Sequence, residues 1–487
     1  MPPPRESADL PHRAPVSAAP LPDRAIGVLL LIVTLLVAAF EWTGSASFET
    51  AAILASVPLL ALLAPRVPRG RQVFLAIGLA LVLAALALRA DGLAIAGEAL
   101  GRTAFIAAFF TALASLRAAA AGSVDIARCG RFLAAQPPGR RYAALTIGGQ
   151  VFAMLLNYGA IVLLGGMAVE SARGEQDEEI RRHRIRRMLL AVQRGLVSTL
   201  AWSPLAFAIA ISTAVVPGAD WASAAPYCIG TGVIIALTGW ALDTAFKPRL
   251  SHPAPRRAPP EGGWGQIWPL LALLAVLAAL VLLGHATTGV RTVGLVMVIV
   301  PVLSLLWVLI QHHESAERET PLHAALSDTA ARSRAFTVAD LPGYRAEIVL
   351  LMMAGLIGSA GGALAAPWMV ASGIDLAALP APVLLVAIVW IIPITGQLGM
   401  NPILTVSLAG PLLPPPEALG LEPDHLIAAI TAGWALSGAS SPFTATTVLV
   451  GNLGGVSAHH VGLRWNGPYT LLCACLLSAW ILLVTSL

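Results

Sequence analysis

Charge is what this sequence has least of. Only 11% of its 487 residues are Asp, Glu, Lys or Arg, against 57% hydrophobic. A soluble chain carries about a quarter charged residues, so most of this one is expected in lipid. Cysteine is sparse too. Cys129, Cys228, Cys473 and Cys475 show no metal-ligand spacing and read as small apolar fillers. There is no Gly-rich phosphate loop with Lys, no paired-His helix motif and no Ser-His-Asp order. An enzyme is left without a catalytic constellation. Carboxylates are missing from the middles of the apolar segments: Glu98, Asp243 and Glu347 stand at their rims, where charges snorkel or anchor. A midplane acid for proton transfer is therefore not supported. The basic loops need only membrane orientation as their explanation, so no nucleic-acid partner is expected.

What is present is a series of apolar stretches near the ~20 residues that cross a bilayer. They fall at about 25–43, 50–65, 72–89, 97–117, 188–215, 222–246, 266–284, 290–311, 346–366, 426–450 and 468–487, about eleven crossings in an all-α polytopic membrane protein. Two further apolar stretches, 141–169 and 381–413, carry Gly and Asn near their middles. Residues 1–24, rich in Pro, Ala and Arg, read as a disordered cytoplasmic tail. The apolar run that follows reads as a retained first helix.

The placement of arginine decides the topology. Arg66, Arg69 and Arg71 follow the second crossing, and Arg117, Arg128, Arg131, Arg140 and Arg141 follow the fourth. Arg173, Arg181, Arg182, Arg184, Arg186 and Arg187 lie between 170 and 188, and Lys247, Arg249, Arg256 and Arg257 follow the crossing at 222–246. With the N-terminus in the cytoplasm, all of these loops fall inside only if 141–169 is a re-entrant hairpin. The same count makes 381–413 a hairpin from the opposite face and puts the C-terminus outside. Opposed hairpins are what inverted-topology repeats require. The expected division is a first helix and loop at 25–49, one repeat at 50–246 with broken helix 188–215, a cytoplasmic linker at 247–265, and a second repeat at 266–487 with broken helix 426–450.

A polar break interrupts each broken helix: Ala-Trp-Ser-Pro at 201–204 and Ala-Ser-Ser-Pro at 439–442. Asn157 matches Asn401 and Gly166 matches Gly410 at one spacing. Gly195, Ala201, Ser203 and Pro204 match Gly433, Ala439, Ser441 and Pro442 at another, the extra length lying in the first-half loop. Ser-Pro and Asn-Pro are helix-start signals, with Ser or Asn as N-cap and Pro at the first helical position. Ser203-Pro204, Ser441-Pro442 and Asn401-Pro402 are each expected to end one half-helix and begin another. The new half-helices point positive dipole ends into the breaks, which suits an anion. Freed carbonyls with Ser, Thr and Asn oxygens suit a desolvated Na⁺. Asn157, Ser203, Asn401 and Ser441 are the expected site residues and possible Na⁺ ligands, helped by Thr405, Ser440 and Thr444. The second half is richer in hydroxyls than the first.

In these features the chain resembles the ion transporter superfamily, which groups divalent-anion/Na⁺ symporters with TRAP-type large permeases. The likeness covers about residues 50–487 and rests on architecture. Motifs match more loosely: the tips read Leu-Asn-Tyr and Met-Asn-Pro, the breaks Trp-Ser-Pro and Ser-Ser-Pro. The resemblance implies a homodimer and elevator motion, with 141–215 and 381–450 moving against a scaffold from 50–117, 222–311 and 346–366. The expected function is secondary active transport of a small anion, coupled to Na⁺ or H⁺, in a bacterial inner membrane, with no other cofactor. The alternatives are a Na⁺/H⁺ exchanger using Asp243 and a permease subunit of a larger binding-protein-dependent complex.

Overall fold

The computed structural model describes residues 20–248, 251, 262–315 and 322–486. The expected tail at 1–24 lies outside the described residues up to residue 19, and Leu21 already begins the first helix. Much of the expected linker at 247–265 is likewise outside them.

The described chain is helical, with no strand among the described residues. It opens with α1 (Leu21–Thr43), α2 (Ala46–Leu63), α3 (Arg69–Leu88) and α4 (Gly92–Ala121), then a short α5 (Val124–Ala134). The first hairpin follows as α6 (Pro138–Leu156), a π-helical stretch over Ile161–Gly165 and α7 (Gly166–Arg173). The first broken helix is α8 (Glu178–Leu200) and α9 (Phe207–Val215). Next come α10 (Trp221–Ala245), α11 (Trp268–Thr288), α12 (Thr292–Ser315), α13 (Leu322–Ala335), a one-turn α14 (Leu341–Gly343) and α15 (Arg345–Ala371). The second hairpin is α16 (Ala381–Gln397) and α17 (Pro402–Ala409). The second broken helix is α18 (Pro423–Ser440) and α19 (Ala445–Gly454), and α20 (Gly467–Val484) closes the chain.

Ten of these helical segments are long and apolar enough to cross a membrane, and the protein is an all-α polytopic membrane protein. The eleventh expected crossing, 188–215, is not among them. Its chain leaves the helix between α8 and α9, and the first turns of α8 are charged. Asp177 caps those turns by accepting from the Glu179 and Ile180 amides.

Two groups of helices pack around different centres. α1, α2, α3, α12 and α15 surround α4. α6, α8, α10, α16, α18 and α20 form the other group, with α8 and α18 buried at its middle. α10 thus sits with the broken helices, not in the scaffold expected from 222–311. Cys228 on α10 meets Thr431 on α18, and the Trp480 indole on α20 donates to the Tyr227 carbonyl.

Both hairpins turn back on themselves. Gly148 on α6 lies against Leu164 on the return arm, and the Thr395 and Thr405 hydroxyls meet at 3.1 Å across the second turn. Each hairpin arm crosses its broken helix where a glycine removes the side chain. Gly195 on α8 rides on Thr146 and Gly149 of α6, and Gly433 on α18 rides on Ile388 and Ile392 of α16. Small residues at such crossings let backbones touch, the usual means of packing helices in lipid.

Candidate functional site

The two broken helices run past each other in opposite directions. Gln193 on α8 donates to the Ala439 carbonyl at 3.4 Å, Gly438 packs on Val197 and Leu200, and Ser203 shares a cavity with Trp434. As α8 proceeds toward its break, the neighbouring residues of α18 therefore count downward. Further along, Leu453 and Gly454 of the second broken helix lie against Gly165 and Leu189 of the first half.

The breaks differ from expectation in one respect that both share. Neither Ser203 nor Ser441 is an N-cap. α9 starts behind Ala206 and α19 behind Thr444. Each Ser-Pro pair instead opens a tight turn. The Ala206 amide donates to the Ser203 carbonyl at 2.9 Å, and the Thr444 amide to the Ser441 carbonyl at 3.3 Å. The hydroxyl of each Ser accepts from the amide two residues on, at 3.3 Å in both copies. Ser at the first position and Pro at the second are also what a β-turn favours. That chemistry wins here, and it moves each helix start to the far side of the turn. The third expected cap is present: the Asn401 side chain accepts from the Ile403 amide at 2.9 Å with Pro402 at the first helical position.

Around the second break the hydroxyls bond mostly to one another and to freed carbonyls. Ser441 donates to Gly396, Thr447 to Ser441 at 2.6 Å, and Thr446 to Gly438. Thr444 bonds the Ser441 carbonyl at 2.9 Å and meets the Thr446 and Thr447 hydroxyls. Ser440 donates to the Leu436 carbonyl and accepts from the Gln397 amide at 3.2 Å. Thr405 joins Thr395 and the Asn401 carbonyl. Asn401, Thr405, Ser440, Ser441 and Thr444 therefore gather where the second hairpin tip meets the second break.

Asn157 and Ser203 form a separate cluster. Asn157 ends α6 at φ 51°, ψ −129°, the one non-Gly positive φ among the described residues. Its side-chain amide makes no hydrogen bond to a described residue. It lines a cavity of about 20 Å³ together with Thr199, Ser203 and Trp434, room for a water or a small ion. A neighbouring cavity of about 30 Å³ adds Arg117 and Glu347 to the same Asn157. No hydrogen bond among the described residues joins a site residue of one half to a site residue of the other.

One further link between the halves runs through Arg194, which the sequence did not single out. Arg194 on α8 is 5% exposed. Its Nε donates to Asn466 at 3.1 Å, one terminal nitrogen donates to the Tyr142 hydroxyl at 3.1 Å, and its plane covers the Tyr469 ring at 4.2 Å. Asn466 in turn donates to Gln193 at 2.9 Å and to the Ala439 carbonyl at 3.1 Å, just before the second break. A buried arginine within apolar sequence was the available signal, since such residues are seldom incidental.

The far end of α9 is held by two arginines. Arg102 on α4 donates to the Ala214 carbonyl, and Arg291 at the start of α12 donates to the Thr213 carbonyl at 2.7 Å. Both satisfy last-turn carbonyls and face the negative end of the half-helix. Asp243, the acid of the exchanger alternative, is held by both nitrogens of Arg187 at 2.8 and 2.6 Å.

No protein-family model matches the sequence, and no curated protein matches it. Among solved structures, the chain is similar to the crystal structure of the Alcanivorax borkumensis YdaH transporter, described as having an unusual topology. Identity is 18%, the TM-score is 0.49, and the match covers 85% of this chain and 98% of the other.

Proposed function

We propose that the chain is a secondary active transporter of a small anion, a carboxylate or an oxyanion, coupled to Na⁺ or H⁺. The observation that carries the reading is the antiparallel pair of broken helices, each with its break set against a hairpin tip. Helices interrupted near midplane are tolerated where the freed backbone lines a cavity or a ligand, and paired interruptions in corresponding halves mark transporter sites. The reading includes inverted repeats, an N-in/C-out arrangement in a bacterial inner membrane, a homodimer and elevator-type motion.

Asn157, Ser203 and Thr199 bring neutral oxygens to one small cavity, the chemistry of a Na⁺ site. In the second half the amino ends of α17 and α19 and the hydroxyls of Thr405, Ser440 and Thr444 suit an anion's oxygens. The described cavities at Asn157, about 20 and 30 Å³, have room for a water or a small ion and not for an organic anion. The exchanger alternative is not favoured, because Asp243 is engaged by Arg187.

The test is uptake into liposomes containing the purified chain alone, after a thermal-shift panel of carboxylates and oxyanions with and without Na⁺. A Na⁺-dependent stabilisation by one anion class, followed by uptake of that anion, supports the proposal. Absence of uptake by the chain alone, restored by an added binding protein, favours the permease-subunit reading.

A further inference from the structure

One cavity of about 30 Å³ lies where the two groups of helices meet. Arg117 comes to it from α4, Glu347 from α15 and Asn157 from the first hairpin tip. Leu205 and Phe207, just past the first break, give it an apolar side. Such a volume takes a water or two, or a small ion.

The charges around it are half-buried. Among the described residues, the side chains of Arg117, Glu347 and Asn157 make no hydrogen bond or ion pair, with one another or with any other group. The guanidinium only rests over the Tyr344 ring, 4.9 Å from its centre. Taking a charge out of water without a partner is costly, and these two stand close enough to attract without pairing. The other titratable groups that face Glu347 are Tyr158 at the tip and Tyr344 one turn earlier. Between about pH 5 and pH 8, tyrosine stays neutral and arginine stays charged. Glu347 is therefore the one group at the cavity whose charge can change in that range.

Charge counting decides what the space can hold. With Glu347 ionised, Arg117 and Glu347 cancel, and an entering anion would face a bare carboxylate. With a proton on Glu347, the charge of Arg117 is left over, and an anion between its guanidinium and the Asn157 amide restores neutrality. We propose that the cavity binds a small inorganic anion, of halide size, together with a proton on Glu347. Each of the two ligands then raises the affinity for the other by the same factor. The inference goes beyond the transport reading and does not rest on it, because binding is measured without uptake.

Thermal unfolding of the full chain in detergent tests it, with potassium chloride titrated against potassium gluconate at constant ionic strength, at about pH 5.5 and about pH 8. Chloride is expected to raise Tm by about 2–4 °C at the lower pH. Its apparent affinity there should exceed that at the higher pH by about fivefold or more. Glu347→Gln should keep the low-pH affinity at both pH values, and Arg117→Gln should remove the chloride shift. A chloride shift equal at both pH values in the parent, or absent at both, overturns the proposal, as does one that survives Arg117→Gln. A shift with Na⁺ that Glu347→Gln abolishes marks a cation site and overturns it too. Should the Arg117 variant fail to fold, the pH dependence of the parent and its loss in Glu347→Gln decide the matter. Failure here leaves the anion-transporter reading standing, since uptake decides that.

Discussion

Ser441 donates its hydroxyl hydrogen to the carbonyl oxygen of Gly396 at 2.7 Å, with both residues buried. The bond ties the second break to the second hairpin tip. Ser441→Ala removes that bond while the Gly399 amide still donates to the same carbonyl at 3.3 Å, so the loss should be about 0.5–1.5 kcal/mol. Thermal unfolding in detergent should register the loss. Uptake should fall further than the stability change alone accounts for.

Asn157 sits at a positive φ that an L residue adopts only under strain. Asn157→Gly removes the strain along with the amide, whereas Asn157→Ala removes the amide and keeps the strain. The Gly variant should be at least as stable as the parent. The Ala variant should lose about 1 kcal/mol or more against the Gly variant. Both should lose Na⁺-dependent stabilisation; its survival in both would remove Asn157 from the ion site.

Arg194 joins α8 to the start of α20 through Asn466 and to α6 through Tyr142. Arg194→Lys keeps the charge but has no fork to reach both partners. A loss of about 1–3 kcal/mol is expected, from a buried polar group left without a donor. A Tm within a degree of the parent would show the network to be dispensable.

Two arginines on other helices hold the last carbonyls of α9. Arg102→Gln with Arg291→Gln should leave α9 fraying, seen as faster hydrogen exchange of its final amides while α4 and α12 stay protected. If α9 slides in the transport cycle, these bonds must break each time. The double variant should then also change the uptake rate.

Orientation is open to cysteine labelling because the native thiol outside the spans is unreactive. Cys129 on α5 is buried, and burial pushes its thiol up to about 12. A raised thiol pKa leaves the protonated, non-nucleophilic form in place at pH 7–8. Gly174 and Ala377 lie in exposed loops before α8 and α16. Gly174→Cys should react only from the cytoplasm and Ala377→Cys only from outside. Labelling of both from one side would remove the opposed arrangement.

Much of the architecture was legible in the sequence. Apolar length places the spanning helices, and Asn157 and Asn401 do stand at hairpin tips. Gly195 and Gly433, matched in sequence, do the same job at two helix crossings. The Ser-Pro pairs were harder, because Ser followed by Pro satisfies both a helix cap and a β-turn. Only the backbone beyond them shows that the turn forms first and the helix starts behind Ala206 and Thr444. Arg194 was missed although it stands alone in apolar sequence, because its partners lie far along the chain.

By itself the sequence determined the apolar spanning segments, 188–215 excepted, and where the breaks fall, since lipid burial and turn chemistry are sums over neighbouring residues. The gathering of the hydroxyls, the antiparallel passage of α8 and α18 and the burial of Arg194 were decided by tertiary structure. Arg194 and Asn466 stand 272 positions apart, and no local pattern encodes a contact over such a separation. It exists because α8 and α18 pack directly against each other, with Gly438 on Val197 and Leu200.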